Sequence, residues 1–154
     1  MRDEHVFHAN VQWHPAAATS GTKLSRAYTV DIPGRPPLQG SADAAFGGDA
    51  ARHNPEDMLL AALASCHMLS FIWAAEQAGI AVRDYRDAAT ARLANVGKSL
   101  RFVEAVLRPE VTLAPGADPA QVDKLHERAH RVCFIANAVN FPVRIEGSVK
   151  QAAA

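Results

Sequence analysis

Two cysteines and one pair of histidines stand out for what their residue types and spacing can do. Cys66 sits in Ser65-Cys66-His67 and Cys133 in His130-Arg-Val-Cys133. A lone buried cysteine usually serves as a small apolar filler, but each of these has polar neighbours that a plain core does not need. A dithiol enzyme requires an attacking thiolate of low pKa, a cation to hold its charge and a second thiol to resolve the sulfenic acid. The chain offers candidates for each part. It has no C-x-x-C, and two cysteines are too few for a secreted disulfide framework. In a reducing compartment such a pair is either inert core or redox chemistry.

The histidines belong to His126-Glu-Arg-Ala-His130, a match to H-E-x-x-H. In that helical zinc motif two ligands at i and i+4 flank a general-base glutamate. Cys133 falls at i+7 from His126 and extends the stripe, while Glu146 is the remaining possible ligand. A zinc-binding or zinc-hydrolase domain is therefore a rival reading, set against the plainer one of partly exposed helix histidines. His67, about 100° around its helix from Cys66, reads as packing or partner contact. Trp13 and Trp73 read as core or pocket wall.

The elements that must position these groups can be traced from the sequence. Residues 54–79 carry their own start, body and stop. Asn54 caps, Pro55 suits the first helical position, Glu56 and Asp57 complement the dipole, and Gly79 ends the helix. Apolar residues cover nearly the whole circumference between those ends, which predicts the centre of a core. Asp118-Pro-Ala-Gln121 resembles a capping box opening a second helix that runs to about Asn140. Val122, Leu125, Ala129, Val132, Cys133 and Ala136 share one of its faces. Strands are predicted at residues 6–13, 24–32 and 37–42, with a break over 15–21 and a Gly- and Ala-rich loop over 43–53. Residues 82–94 and 100–113 predict a long hairpin turning at Asn95-Val-Gly97-Lys, and 143–150 a last strand. The order is βββ-α-ββ-α-β, an α+β chain.

At 154 residues one domain is expected, with an N-terminal meander over 1–53 and a core over 54–154. Lys plus Arg equal Asp plus Glu at 16 each, so no global field draws the chain to nucleic acid or to an acidic membrane. There is no Gly-rich phosphate loop of useful form. No apolar h-region follows Met1, and no uncharged apolar span of membrane length is expected. The expectation is a soluble cytoplasmic protein.

Asn54-Pro-Glu56, Ala64-Ser-Cys66-His-Met and Ala129-His-Arg-Val-Cys133-Phe-Ile-Ala-Asn137 resemble the OsmC/Ohr family of osmotically inducible and organic hydroperoxide resistance proteins. The resemblance covers the whole chain in element order and cysteine placement. It implies a thiol-dependent peroxidase that reduces organic hydroperoxides, built as an intertwined homodimer with active sites at the subunit interface. It makes Cys66 the peroxidatic thiol, Cys133 the resolving thiol and Glu56 the carboxylate that orients an arginine. Among Lys23, Arg26, Arg35 and Arg52 we expect Arg26, because its strand row is otherwise apolar and should face the interior. In the implied mechanism Arg26 stabilises the Cys66 thiolate. The thiolate attacks the distal peroxide oxygen and expels an alcohol, and Cys133 then converts the sulfenic acid to a disulfide that a cellular dithiol reduces. Sulfur carries the two electrons, so no metal, haem or flavin is expected.

In one continuous helix Glu56 and Cys66 lie roughly 15 Å apart along the axis, and residues 58–65 hold no Gly or Pro to break it. A glutamate acting beside Cys66 must then come from a second subunit. An obligate two-fold dimer follows, with each Cys66 site completed by Glu56 and Arg26 of the other chain.

Overall fold

The computed structural model describes residues 4–14 and 23–153; the break expected over 15–21 lies outside them. Within the described residues two α-helices and nine strands follow the order βββαββββαββ. The class is α+β, as expected, but each long predicted strand beyond the first helix is cut in two. The chain falls into two compact units, Met1–Leu59 and Leu60–Ala154.

The first unit holds an antiparallel meander of β1 (Asn10–Gln12), β2 (Tyr28–Asp31) and β3 (Leu38–Gly40). All three strands are shorter than predicted. Phe7, Val11 and Trp13 stay exposed, so the alternation over 6–13 has no covered face to hold it in a strand. The strand expected over 24–32 starts only at Tyr28 because Ser25 captures the backbone before it. Its carbonyl accepts the Trp13 indole N–H at 2.9 Å and its hydroxyl accepts the Ala27 N–H at 3.1 Å. Arg26 therefore precedes β2 and is exposed, which corrects the expectation that its guanidinium faces inward. At the end of the unit Asn54 is buried and caps as predicted, its Oδ1 accepting the Asp57 N–H at 2.7 Å.

Helix α1 runs unbroken from Pro55 to Gln77. Gly79 stops it at φ +67° while Ile80 N–H reaches back to the Ala75 carbonyl at 2.9 Å, the six-to-one bond of a Schellman end. Its length and a mean hydropathy of 1.8 over 18 residues would suffice to cross a membrane, and residues 58–75 hold no Asp, Glu, Lys or Arg. The expectation that no such span exists is overturned. The central helix of a folded core meets the same description. The helix is not covered all round, however. Leu63, His67, Phe71, Ala74 and Ala75 are buried, whereas Leu69 and Trp73 are 62% and 42% exposed.

In the second unit β4 (Val82–Asp87), β7 (Pro109–Leu113) and β9 (Ser148–Gln151) form one sheet, and β5 (Thr90–Val96), β6 (Ser99–Leu107) and β8 (Val143–Ile145) another. The predicted hairpin is present but bent, because β5 pairs with β6 and β4 with β7. Arg108 holds the corner where these strands change sheet. Its N–H donates to Asp87 Oδ1 at 2.7 Å, its Nη1 donates to Thr90 Oγ1 at 2.9 Å, and its Nε lies 3.4 Å from Glu146 Oε2. Pro109 supplies no N–H there, and Glu146 N–H donates to the Leu107 carbonyl at 2.8 Å where β8 ends. One buried cluster joins Phe71, Ala74 and Ala75 of α1 to Val111, Leu113, Val122, Leu125 and Ala129. A second joins Leu63 to Ala105 and Leu107. Each large apolar side chain buried here contributes about 1.5–3 kcal/mol.

Helix α2, Val122–Val132, ends well short of the predicted Asn140. Asp118 caps the short 3-10 turn ahead of it through the Ala120 N–H at 3.0 Å. On the buried face of α2, His126 stacks beside His67 of α1, with ring centroids 5.3 Å apart and Nε2 of His67 3.1 Å from Nδ1 of His126. His126 also packs on Phe71 at 4.4 Å. A Cβ at Gly147 would stand 3.2 Å from His126 Nε2 and 3.3 Å from a Pro109 ring carbon, so a larger residue there would have to push this ring or Pro109 aside by a few tenths of an ångström. One nitrogen of the pair must donate and the other accept. That requires the accepting ring to be neutral.

Burial lowers the His67 pKa to about 4, with help from His126 and His130. Burial likewise lowers His126 to about 4, against a weaker opposing pull from Asp123. Both folded values lie below the unfolded value of about 6.5, so the unfolded chain takes up protons first as pH falls. The stability these sites contribute is complete above about pH 6.5 and lost between there and about pH 4, at up to about 1.4 kcal/mol per site per pH unit. Urea unfolding at pH 7 and pH 5 should give a markedly lower stability at pH 5, and a His67→Gln/His126→Gln variant should lose most of that slope. Equal pH dependence in the two proteins would show that the pair is not held neutral.

Candidate functional site

Cys66 is half-buried on the uncovered side of α1, where the 3.6-residue period lines up Ala62, Ser65, Cys66, Leu69, Ser70 and Trp73. With Val132 and Phe134 these residues line a groove of about 560 Å³ in the second unit. Its walls are almost wholly apolar. Ser65 is no competitor for a substrate, since its hydroxyl donates to the Ala61 carbonyl at 2.7 Å. Trp73 is a pocket wall, as one reading of the sequence had it, and Trp13 lines a separate pocket with Val11, Leu24 and Tyr28.

Cys133 is fully buried and stands as the residue that ends α2, its backbone turning to φ −69°, ψ 110°. Its thiol has Cys66 among the neighbours that perturb it. The residues after it hold the sulfur in place. Ala136 N–H points at Sγ from 3.4 Å, while the Asn137 amide donates to the carbonyls of Cys133 at 3.0 Å and Arg131 at 3.1 Å. This is the physical content of Cys133-Phe-Ile-Ala-Asn137: the asparagine locks a turn that presents the sulfur. Burial pushes the Cys133 thiol up to about 11, and the neighbouring Cys66 adds to the rise, against the pull of the Ala136 and Ile135 N–H groups. Cys133 is therefore a protonated thiol at neutral pH.

The other predicted site residues are not in this groove. Glu56 and Arg26 belong to the first unit, and among the described residues no ion pair joins them. One carboxylate oxygen of Glu56 is buried without a hydrogen-bond partner. In the unbroken helix Glu56 stands ten residues before Cys66, roughly 15 Å along the axis. Of the competing cations, Arg52 is paired with Asp49 at 3.3 Å and donates to Gln39 at 2.9 Å.

The H-E-x-x-H reading fares differently from either expectation. His126 is 5% exposed rather than partly solvated, with Nδ1 directed at His67. Among the described residues no three His, Cys, Asp or Glu side chains are arranged to hold a metal ion. His67 is fully buried, in line with its reading as a packing residue, whereas sequence reasoning missed the placement of Arg128, whose guanidinium carbon lies 4.6 Å from the centre of the Trp73 ring. Only the i, i+7 relation between Cys66 and Trp73 hinted at the groove that Arg128 borders.

Comparison with known proteins follows the same lines. Residues 47–148 match the sequence model for OsmC-like proteins. The uncharacterized protein YmaD of Bacillus subtilis (strain 168) is 27% identical over 153 residues, 96% of each chain. An OsmC-like protein of unknown function from Vibrio cholerae has a solved structure that superposes with a TM-score of 0.87 at 32% identity, covering 94% of this chain and 99% of that one. An organic hydroperoxide resistance protein from Elizabethkingia anophelis shares the fold at a TM-score of 0.70 and 19% identity, covering 99% of this chain and all of that one. On the family match over most of its length and the shared fold, the chain belongs to the OsmC-like protein family.

Proposed function

We propose that this protein is a cytoplasmic thiol peroxidase that reduces organic hydroperoxides to alcohols. The observation that carries the reading is the pairing of a half-buried Cys66, open to an apolar groove, with a buried neighbouring Cys133 thiol. The Cys66 thiolate attacks the distal oxygen of the hydroperoxide. The O–O bond breaks, the alkoxide leaves as the alcohol, and Cys66 becomes a sulfenic acid. The Cys133 sulfur then attacks that sulfenic sulfur, water leaves, and the two cysteines form a disulfide that a cellular dithiol reduces. An organic hydroperoxide buries its alkyl group in the groove, whereas hydrogen peroxide has none to bury. Binding thus favours the organic substrate by about 0.8 kcal/mol per buried methylene.

Cys66→Ser should lower cumene hydroperoxide turnover with dithiol reductant by about 10²-fold or more, and the wild type should prefer cumene hydroperoxide to hydrogen peroxide in kcat/KM. A Cys66→Ser protein with the full rate would sink the thiol mechanism.

The cation for the thiolate comes, in this reading, from a two-fold partner: Glu56 of one chain orients Arg26 beside Cys66 of the other. The buried, unpartnered Glu56 oxygen and the axial separation of Glu56 from Cys66 support this arrangement. Mixing Glu56→Gln and Cys66→Ser chains tests it, because the mixed dimer then contains one complete site. Activity that neither parent shows should reappear on mixing. Persistently inactive mixtures, or a monomer in sedimentation at micromolar concentration, would contradict the shared site.

A further inference from the structure

The last turn of α2 leaves backbone carbonyls with no partner inside the helix, and Asn137 bonds to the chain there from just beyond it. Its side-chain amide donates to the Arg131 carbonyl at 3.1 Å and to the Cys133 carbonyl at 3.0 Å, and its backbone N–H donates to that same Cys133 carbonyl at 3.1 Å. Ala138 N–H closes the next bond, to the Ile135 carbonyl at 3.0 Å. The residues between are thereby folded back on the end of the helix, with Phe134 84% exposed in the groove wall and Cys133 fully buried. The Ala136 N–H points at Cys133 Sγ from 3.4 Å, and the Ile135 N–H also pulls on that sulfur. An asparagine suits this place because its short amide carries two donors on one nitrogen, whereas an ionised aspartate of the same shape only accepts. Asn137 is itself exposed, so little packing depends on its side chain.

We propose that Asn137 is a positioning residue for the second step of the dithiol cycle, clamping the turn so that its backbone N–H groups stay on the Cys133 sulfur and that sulfur stays presented to Cys66. The proposal rests on the thiol cycle above and adds to it a residue with no part in the attack on peroxide. In the step concerned the Cys133 thiol gives up its proton, the S–O bond at Cys66 breaks, the hydroxyl leaves with that proton as water, and the S–S bond forms. No outside oxidant or reductant enters. A protonated thiol reacts faster where donors stabilise the charge that develops on sulfur as the proton departs. It must also be held near its target, within about 3–3.5 Å. Both conditions depend here on the turn, and the turn on the Asn137 amide.

The test separates the two steps. Reduced wild type, Asn137→Asp and Asn137→Gln are mixed with one equivalent of cumene hydroperoxide, and the Cys66 sulfenic acid, trapped with dimedone, and the Cys66–Cys133 disulfide are followed in time by mass spectrometry. In Asn137→Asp the sulfenic acid should form at the wild-type rate but accumulate, because closure to the disulfide slows by about tenfold to a hundredfold when the sulfur is misplaced. Asn137→Gln keeps the two amide donors on a longer stem and should recover part of the closure rate. Should Asn137→Asp fail to fold, Asn137→Ala removes the donors without adding a charge and is read in the same way. Closure at the wild-type rate without the amide would overturn the inference, as would a slowing of both steps alike or an Asn137→Gln variant no faster than Asn137→Asp. If the wild type itself forms no sulfenic acid, the peroxidase reading fails, and closure is driven instead by diamide, to which Cys66 adds before Cys133 displaces the hydrazine. Slower closure in Asn137→Asp would then still support the role of Asn137, and equal closure would overturn it.

Discussion

Cys66 and His67 are adjacent in α1 and so point about 100° apart, and the packing of residues 60–154 depends on which of them turns inward. The histidine does. It is fully buried against His126, and the face carrying it also carries Leu63, Phe71 and Ala74 into the two clusters. Burying His67 turns Cys66 about 100° away, where it is half-covered and open to the groove. The cost of an interior histidine is limited by pairing two neutral rings, since one supplies the proton that the other accepts. Cys66 is thus positioned by what lies behind it.

The two cysteines differ because their elements end differently. Cys66 sits mid-helix, where its sulfur has the groove for surroundings. Cys133 is the residue at which α2 stops, and the following turn, locked by the Asn137 amide, wraps backbone around the sulfur. The buried thiol stays protonated at neutral pH, which in the proposed cycle makes it the second nucleophile rather than the first. An asymmetry of burial between two neighbouring sulfurs is enough to order the steps of a dithiol cycle.

The sequence spoke clearly where local chemistry decides the outcome. Asn54, Pro55 and Gly79 bound α1 as their types require, and the buried face of α2 followed from Val122, Leu125 and Ala129. It was silent about which side of α1 is covered, because apolar residues surround that helix and no stripe distinguishes Leu69 and Trp73 from Leu63 and Phe71. It also hid the corner at Arg108. The alternation over 82–94 is imperfect, since Ala88, Ala89 and Ala91 would satisfy a helix equally well, and only tertiary partners such as Asp87, Thr90 and Glu146 show where the sheets divide. The burial of His126 had the same origin. H-E-x-x-H is a helical spacing, and whether such a histidine meets solvent, metal or another ring depends on the element packed against it.

The central claim is that Cys66 and Cys133 of one chain act as a couple. Its most direct test is to treat the reduced protein with a stoichiometric amount of cumene hydroperoxide, block free thiols at once, and map the cysteines by mass spectrometry. The account predicts that both thiols disappear together into a Cys66–Cys133 disulfide within one chain. Oxidation of Cys66 to sulfenic or sulfinic acid while Cys133 remains alkylatable after unfolding, or a disulfide joining Cys66 of two chains, would contradict it.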